Sequence, residues 1–324
     1  MSAVVGIDVA KHTFDIATLQ ANGKHRTKAK LANTPSGFEL FGQWLSKYAE
    51  PKAWVVMEAT GVYHEALAEY LLQHDYKVCV LNPTQTAKYA ESQLQRVKTD
   101  KVDAKLIAEY GLRHQDKLRL WAPEKPEIRR LRALVKRLRD LQELERIELN
   151  RQDVTRDAKA AESIESMLKH IREQIKQTQN AIKQHFDDHD DLDGQRDLLT
   201  SIDGIADKTA ALLLAELGDI HRFEDSRCVA AFAGLNPKLQ ESGKLKGRVC
   251  ISRMGSATLR AGLYLPAVVS MTRNPAIKAM AERLRANGKT GKQIVCAAMR
   301  KLLCIAYGVL KSGKPFDFSL AIAK

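Results

Sequence analysis

Residues 4–31, which read VVGIDVAKHTFDIATLQANGKHRTKAKL, decide the fold of the first part of the chain. Val4–Val9 and Phe14–Leu19 are short apolar runs separated by polar residues, as is typical of β-strands. Asn22-Gly23 predicts a tight hairpin turn, so His25–Leu31 is expected to return as a third strand. The sequence therefore predicts an antiparallel meander of three strands at the start of the chain.

The next stretch alternates between helix and strand. Thr34 precedes a helix whose apolar residues follow at helical spacing. After it, Trp54–Glu58, Tyr63–Gln73 and Lys77–Leu81 are expected to form a strand, a helix and a strand. Three antiparallel strands followed by alternating helices and parallel strands is the element order of an RNase H-like fold. We therefore predict an α/β domain of this fold over residues 1–120.

Two long helices are expected after this domain, and further helices after them. Their apolar seams consist of Leu131, Leu134, Leu138 and Leu141 in the first helix, and of Ile164, Leu168, Ile171, Ile175 and Ile182 in the second. These seams predict an antiparallel coiled-coil arm over residues 121–195, and their length suggests that the arm mediates self-association. Residues 196–324 are predicted to form a helical domain, in which Ser201–Ala210 resembles a helix-hairpin-helix turn that holds DNA phosphate.

Composition narrows the class of protein. The 324-residue chain has 52 Lys and Arg against 39 Asp and Glu, a formal net charge of +13. This favours nucleic acid as a partner because counterion release from phosphates dominates such binding, although ribosomal and membrane-surface proteins share this charge. Arg300 and Lys301 interrupt the apolar stretch Ile294–Leu310, so it is predicted to be a buried helix and not a membrane anchor. Since no signal peptide is visible, we expect the protein in the cytosol.

Four carboxylates stand where predicted strands and helices begin or end. Asp8 and Glu58 each end a strand, where a carboxylate is costly unless it is paired or binds a metal ion. Asp100 and Asp103 are three residues apart and share one helix face, although Asp100 could simply cap that helix. Together the four predict a Mg²⁺ site, and paired Mg²⁺ ions stabilise both oxygens of a phosphodiester displacement. The predicted chemistry is the cutting or joining of a nucleic-acid strand.

Several motifs resemble those of one known family. They are Gly6–Lys11, Met57–Tyr63, Lys98–Ala104, Ala230–Leu235, Glu241–Gly243 and Tyr307–Gly313. Their order and spacing resemble the DEDD transposases of bacterial insertion sequences. That family is related to the Piv-type DNA invertases and includes bridge-RNA-guided recombinases. The resemblance covers nearly the whole chain.

This resemblance implies an architecture and a mechanism. It implies a RuvC-like domain that uses the four acids with Mg²⁺, followed by a coiled coil and a transposase domain whose nucleophilic serine matches Ser242. It further implies an RNA-guided recombinase that excises and inserts its insertion sequence through a covalent serine–DNA intermediate. The implied partners are donor and target double-stranded DNA, a noncoding guide RNA, and further copies of the chain in a dimer or tetramer. The implied location is the bacterial cytosol.

Basic residues near these motifs are expected to contact nucleic acid. They are Lys98, Lys101, Lys105, Arg129, Arg130, Arg132, Lys208, Lys238, Lys244, Lys246, Arg248 and Arg253. For the arginines of the first long helix, a solvated face or an oligomer contact is the alternative. Two other functions stay open from the residues alone: a non-catalytic nucleic-acid-binding protein, and an actin-like phosphotransferase. The latter requires glycines after the first-strand Asp, where this chain has Val9-Ala10-Lys11.

Overall fold

The chain forms two compact units, Met1–Pro123 and Glu124–Lys324. The computed structural model describes residues 2–94, 99–238, 241–242, 245–246, 250–252 and 254–318. Within these ranges the side chains of residues 2, 100, 101, 241, 242, 245 and 246 are not described. The predicted three-part division at residues 120 and 195 stays a prediction.

A five-stranded mixed sheet forms the centre of the first unit. Its strands are β1 (Ser2–Val9), β2 (Thr13–Leu19), β3 (His25–Ala32), β4 (Ala49–Glu58) and β5 (Lys77–Leu81). The strand order is β3-β2-β1-β4-β5. The first three strands pair antiparallel, and β4 pairs parallel with both β1 and β5. The predicted meander and the parallel strands that follow it are therefore confirmed.

Helices cover both faces of this sheet. They are α1 (Pro35–Tyr48), α2 (Glu65–Gln73), α3 (Pro83–Ser92) and α4 (Asp100–Arg113), followed by a short 3₁₀ helix, Gln115–Lys117. On one face, apolar side chains of β1 and β2 pack with α1 and α2 around Phe14, Phe41 and Leu67. On the other face, α4 packs directly on β1, where a Cβ on Gly6 would lie 2.2 Å from the backbone nitrogen of Ala108. Only glycine permits that close approach.

The second unit is mainly helical. Its helices are α5 (Pro126–Val154), α6 (Ala158–Asp187), α7 (Asp190–Thr200), α8 (Asp207–Leu217), α9 (Ser226–Phe232), α10 (Ala257–Arg273), α11 (Pro275–Ala286) and α12 (Gly291–Ser312), with a 3₁₀ turn at Ile220–Arg222. Four two-residue strands, which the sequence did not predict, are β6 (Pro237–Lys238), β7 (Glu241–Ser242), β8 (Leu245–Lys246) and β9 (Cys250–Ile251). They pair as β6–β9 and β7–β8. Strands of two residues are too short to show an alternating pattern, so sequence periodicity cannot reveal them.

The two long helices form an antiparallel hairpin. His185 Nε2 lies 2.8 Å from the carbonyl oxygen of Glu127, and Arg172 Nε lies 2.8 Å from Glu145 Oε1. Most of the predicted seam residues are buried, among them Leu138 and Ile171. The antiparallel pair is thus confirmed, whereas its coiled-coil geometry stays a prediction.

The core of the second unit joins the base of this hairpin to the later helices. Leu131 of α5 and Phe186 of α6 belong to the same buried cluster as Leu213 of α8 and Leu302 of α12. By length and composition α12 could span a membrane. Ten of its residues are nevertheless buried, as expected for the predicted core helix.

Candidate active site

Asp8 and Glu58 lie side by side at one edge of the sheet. In the parallel pair β1–β4, Ile7 is opposite Met57, and each acid is the next residue along its strand. Neighbouring strands in register direct their side chains to the same face at the same position. The two carboxylates therefore share a face at the carboxyl ends of adjacent strands.

The face that they share is the one covered by α4. Gly6, two residues before Asp8, approaches α4 so closely that a Cβ would lie 2.4 Å from the carbonyl oxygen of Ala104. Val56, two residues before Glu58, has its Cγ2 atom 2.9 Å from a Cβ built on Gly111 of α4. Because strand side chains alternate with a period of two, Asp8 and Glu58 also face α4.

The direction of α4 brings its first turn towards these acids. Gly111 lies beside Val4, whereas Ala104 lies beside Gly6, so the helix runs opposite to β1. The two strand residues from Gly6 to Asp8 span about 6.6 Å, which corresponds to about four helical residues. The first turn of α4, which contains Asp103 and the backbone of Asp100, is therefore the part of the helix nearest Asp8.

Thr86 of α3 is a contact that the sequence analysis missed. This buried residue donates a hydrogen bond from Oγ1 to Glu58 Oε2 at 2.6 Å. Its hydroxyl also lies 2.9 Å from the carbonyl oxygen of Pro83, within the first turn of its own helix. The helix starts at a capping box in which Asn82 accepts from the backbone. That local signal places the helix start, but only the fold brings Thr86 to Glu58.

Asn33 was also missed, and it connects the loops that leave the two acids. Its Nδ2 donates to the carbonyl oxygens of Ala10, at 3.2 Å, and of Tyr63, at 3.0 Å. Its backbone N–H donates to the carbonyl oxygen of His12 at 2.9 Å. We call the end of the sheet that carries Asp8 and Glu58 the acidic edge. Because Ala10 follows Asp8 and Tyr63 follows Glu58, the side chain of Asn33 holds the backbone just beyond both acids.

A fifth acid, Asp15, lies opposite Asp8 in β2. It is buried and accepts a hydrogen bond from the backbone N–H of Lys30 at 2.5 Å. Lys30 has a φ of 55°, and the β2–β3 register shifts between Phe14 and Ile16. Asp15 therefore satisfies a backbone donor at a β-bulge, which explains a buried carboxylate there without a metal ion.

The donor set at this edge suits a hard cation, although the described side chains do not form an assembled cluster. Among the side chains that the structure describes, which exclude that of Asp100, no three His, Cys, Asp or Glu residues converge as a metal site. Carboxylate oxygens are the ligands that Mg²⁺ prefers. Asp8, Glu58 and the first turn of α4 supply only such oxygens, so the predicted Mg²⁺ site is chemically consistent and stays a prediction.

The predicted nucleic-acid contacts differ in their surroundings. Arg130, Lys208 and Lys238 are exposed, Lys105 is half-buried on α4, and Arg129 is exposed on α5. The side chains of Lys101 and Lys246 are not described, and Lys98, Lys244, Arg248 and Arg253 lie outside the described residues.

Arg132 has hydrogen-bond partners within the second unit. Its Nε donates to the carbonyl oxygen of Ala215 at 2.8 Å, and its two terminal nitrogens donate to Glu124 at 2.5 and 2.6 Å. A bidentate pair of this kind holds the guanidinium in a fixed position inside the second unit. Arg132 therefore joins α5 to α8, and its predicted contact with phosphate stays a prediction.

The stretch predicted to resemble a helix-hairpin-helix turn connects two helices through a short turn, and its identity as that motif stays a prediction. Residues 201–206 connect α7 to α8, and Gly204 has a φ of 104°. A Cβ on Gly204 would lie 2.0 Å from Ser270 Oγ of α10, so the turn packs tightly on that helix. Lys208, in the first turn of α8, donates to Gln142 of α5 at 3.1 Å. Its role in binding DNA stays a prediction.

The chain is similar to transposases over most of its length. Residues 5–154 match an IS110-type DEDD model described as a transposase, and residues 196–282 match the IS116/IS110/IS902 transposase family. The chain is 34% identical to the pilin gene-inverting protein of Moraxella bovis, over 97% of each chain. It is 26% identical to the transposase for insertion sequence element IS1328 of Yersinia enterocolitica, over 97% of this chain and 98% of that one.

Proposed function

The chain belongs to the IS110 family of DEDD transposases, and from this premise we propose that it excises and inserts its own mobile element in the bacterial cytosol. Membership establishes that the protein is a DNA transposase or recombinase with an RNase H-like first domain. The non-catalytic binder and the actin-like phosphotransferase are therefore set aside. The observation that carries the proposal is the shared position of Asp8 and Glu58 beside the first turn of α4.

Asp8, Glu58, Asp100 and Asp103 are the proposed ligands of one or two Mg²⁺ ions. When bound, Mg²⁺ would stabilise the charge on the attacking and leaving oxygens of the DNA phosphodiester. Thr86 donates to one Glu58 oxygen, and the other oxygen would be available to bind the cation. Asn33 fixes the backbone beyond both strand ends and so limits how far the two acids can separate. The decisive test is metal-dependent nicking of DNA by the wild-type protein.

Ser242 is the proposed nucleophile, on the strength of the family motif Glu241–Gly243. Its Oγ would attack the phosphorus, forming a serine ester with the 5′ phosphate while the bond to the 3′ oxygen breaks and that oxygen takes the proton. The ester conserves the bond energy, so rejoining needs no ATP. The exposed Lys238, in the strand before it, would balance charge on the phosphate.

A trapped protein–DNA adduct tests this assignment. The wild-type protein should give a denaturation-resistant complex with labelled DNA, and Ser242→Ala should give none. Ser252→Ala is the matched control, because this nearby serine has a local role, in which its Oγ accepts from the backbone of Met254. An adduct of equal yield from Ser242→Ala would exclude Ser242 as the nucleophile.

Self-association through the α5–α6 hairpin is also proposed. The residues that test it differ from the seam residues that the sequence analysis named. Ile171 is buried between the two helices, so a charge there would disrupt the hairpin itself. Leu144 and Met167 are the better probes, because they are 44% and 51% exposed. Leu144→Glu with Met167→Glu should lower the mass measured by light scattering and leave the helical content unchanged. An unchanged mass would contradict the proposal.

We also retain a noncoding RNA as the proposed guide to target DNA. Neither a zinc finger nor a basic zipper is recognisable in the sequence, and the exposed basic residues suit contacts to phosphates. Base pairing would then supply the specificity, as in other RNA-guided systems. Recombination between donor and target DNA should require the transcript of the element. Full site-specific activity of RNA-free protein would assign target choice to the protein, with the helix-hairpin-helix as the first candidate.

A further inference from the structure

The loop that follows Glu58 presents two exposed apolar side chains. Val62 is 67% exposed and Tyr63 is 39% exposed. Single exposed apolar residues are ordinary on protein surfaces and need no explanation. These two differ because they are adjacent in sequence and because they lie in the connection between β4, which ends at Glu58, and α2.

The backbone of this loop is fixed although the two side chains are exposed. The backbone N–H of Tyr63 donates to the carbonyl oxygen of Thr60 at 3.1 Å, and the backbone N–H of Glu65 donates to the carbonyl oxygen of Val62 at 3.2 Å. The carbonyl oxygen of Tyr63 accepts from Asn33 Nδ2 at 3.0 Å. Since the backbone is already held in place, binding a ligand at these side chains would cost little ordering entropy.

We propose that Val62 and Tyr63 form a stacking surface for an unstacked base of the DNA strand whose phosphate lies at the acidic edge. The inference rests on the proposed function, since it needs DNA at Asp8 and Glu58. The five residues from Glu58 to Tyr63 reach at most about 17 Å, so the base is within a few nucleotides of that phosphate.

The chemistry of the two side chains fits a nucleobase. An aromatic ring stacks on any base, and a branched apolar side chain beside it can separate neighbouring base steps. Such a surface would be independent of sequence, as a recombinase that acts on different sites requires. The surface would also serve strand exchange, because the end of a DNA strand must leave its own duplex before it can be joined to a new DNA partner.

Permanganate, which oxidises unstacked thymines, provides the test. The protein, together with the transcript of its element, is bound to a duplex copied from the DNA that flanks its coding sequence, with thymines placed through the junction and Ca²⁺ replacing Mg²⁺ to prevent cleavage. Tyr63→Ala is compared with Tyr63→Phe, which keeps the ring, and with Leu112→Ala. Leu112 is the matched control because it is also 39% exposed, on α4 of the same unit.

We expect hyper-reactive thymines with the wild type, Tyr63→Phe and Leu112→Ala, and at least a fivefold lower reactivity with Tyr63→Ala. Affinity for the duplex should fall about 5- to 150-fold in Tyr63→Ala, the usual range for one lost base stack. Val62→Ala should lower the reactivity to a smaller extent. Equal reactivity of wild type and Tyr63→Ala overturns the inference, whether or not the DNA is cut. A wild type that unstacks thymines but never cleaves in Mg²⁺ overturns the proposed function and supports the stacking surface.

Discussion

The two faces of the five-stranded sheet are built from different residues. On one face, Phe14 and Phe41 fill the space below α1 with ring centroids 5.6 Å apart. On the other, Gly6 leaves room for α4 to approach the backbone of β1. The first face stabilises the unit through buried aromatic area, whereas the second sets how near Asp103 of α4 can come to Asp8. Both faces therefore stabilise the unit through packing, and the face covered by α4 also carries the proposed site.

The largest effect is expected from Gly6→Ala. The added methyl group would meet the backbone of Ala108 and Ala104, which cannot rotate away, so α4 must move. We expect the free energy of unfolding to fall by more than about 4 kcal/mol, measured by urea denaturation with circular dichroism. Gly194→Ala is the control, since nothing lies within 4 Å of its Cβ. A Gly6→Ala protein as stable as the wild type would contradict the close packing of α4.

Asp103→Asn should remove strand transfer and leave the fold intact. The amide keeps the shape of the side chain but loses the negative charge that attracts Mg²⁺. Strand transfer is measured on gels at several Mg²⁺ concentrations, and folding by thermal denaturation. Asp116→Asn, an exposed acid in the short 3₁₀ helix, should behave as the wild type. Wild-type strand transfer by Asp103→Asn would remove this residue from the proposed site.

Phe41→Ala tests the aromatic face. Its fully buried ring packs between Phe14 and Trp44, so truncation should cost about 3–5 kcal/mol of stability. At low temperature, where the variant stays folded, DNA nicking should be preserved, because the acids lie on the other face. Leu40→Ala, at an exposed neighbouring position, should change stability by less than about 0.5 kcal/mol. Loss of nicking in folded Phe41→Ala protein would show that the two faces are coupled.

Thr86→Val should give the smallest effect. Valine has the shape of threonine but cannot donate to Glu58, so the apparent affinity for Mg²⁺ should fall about 10- to 100-fold, as for other residues that orient metal ligands. The maximal rate at saturating Mg²⁺ should change less. Thr86→Ser, which keeps the hydroxyl, should restore the metal dependence. A Thr86→Val protein with an unchanged Mg²⁺ dependence would show that the hydrogen bond has no role in metal binding.

The sequence by itself determined the local elements and the positions of the acids along them. The short apolar runs and the Asn22-Gly23 turn predicted the first three strands to within one or two residues of their observed bounds. Asp8 and Glu58 were recognised as strand ends because an apolar run stops at each of them. These signals are short-range, and each can be read from a window of a few residues.

Only the tertiary structure decided which polar groups meet the acidic edge. Thr86 lies 28 residues from Glu58, and Asn33 lies 23 and 30 residues from its two acceptors. Arg132 contacts Ala215, 83 residues away. Such contacts have no periodic signal, because they form only after whole helices and strands have packed. The sequence determined which residues carry charge, and packing decided which groups each charged side chain contacts.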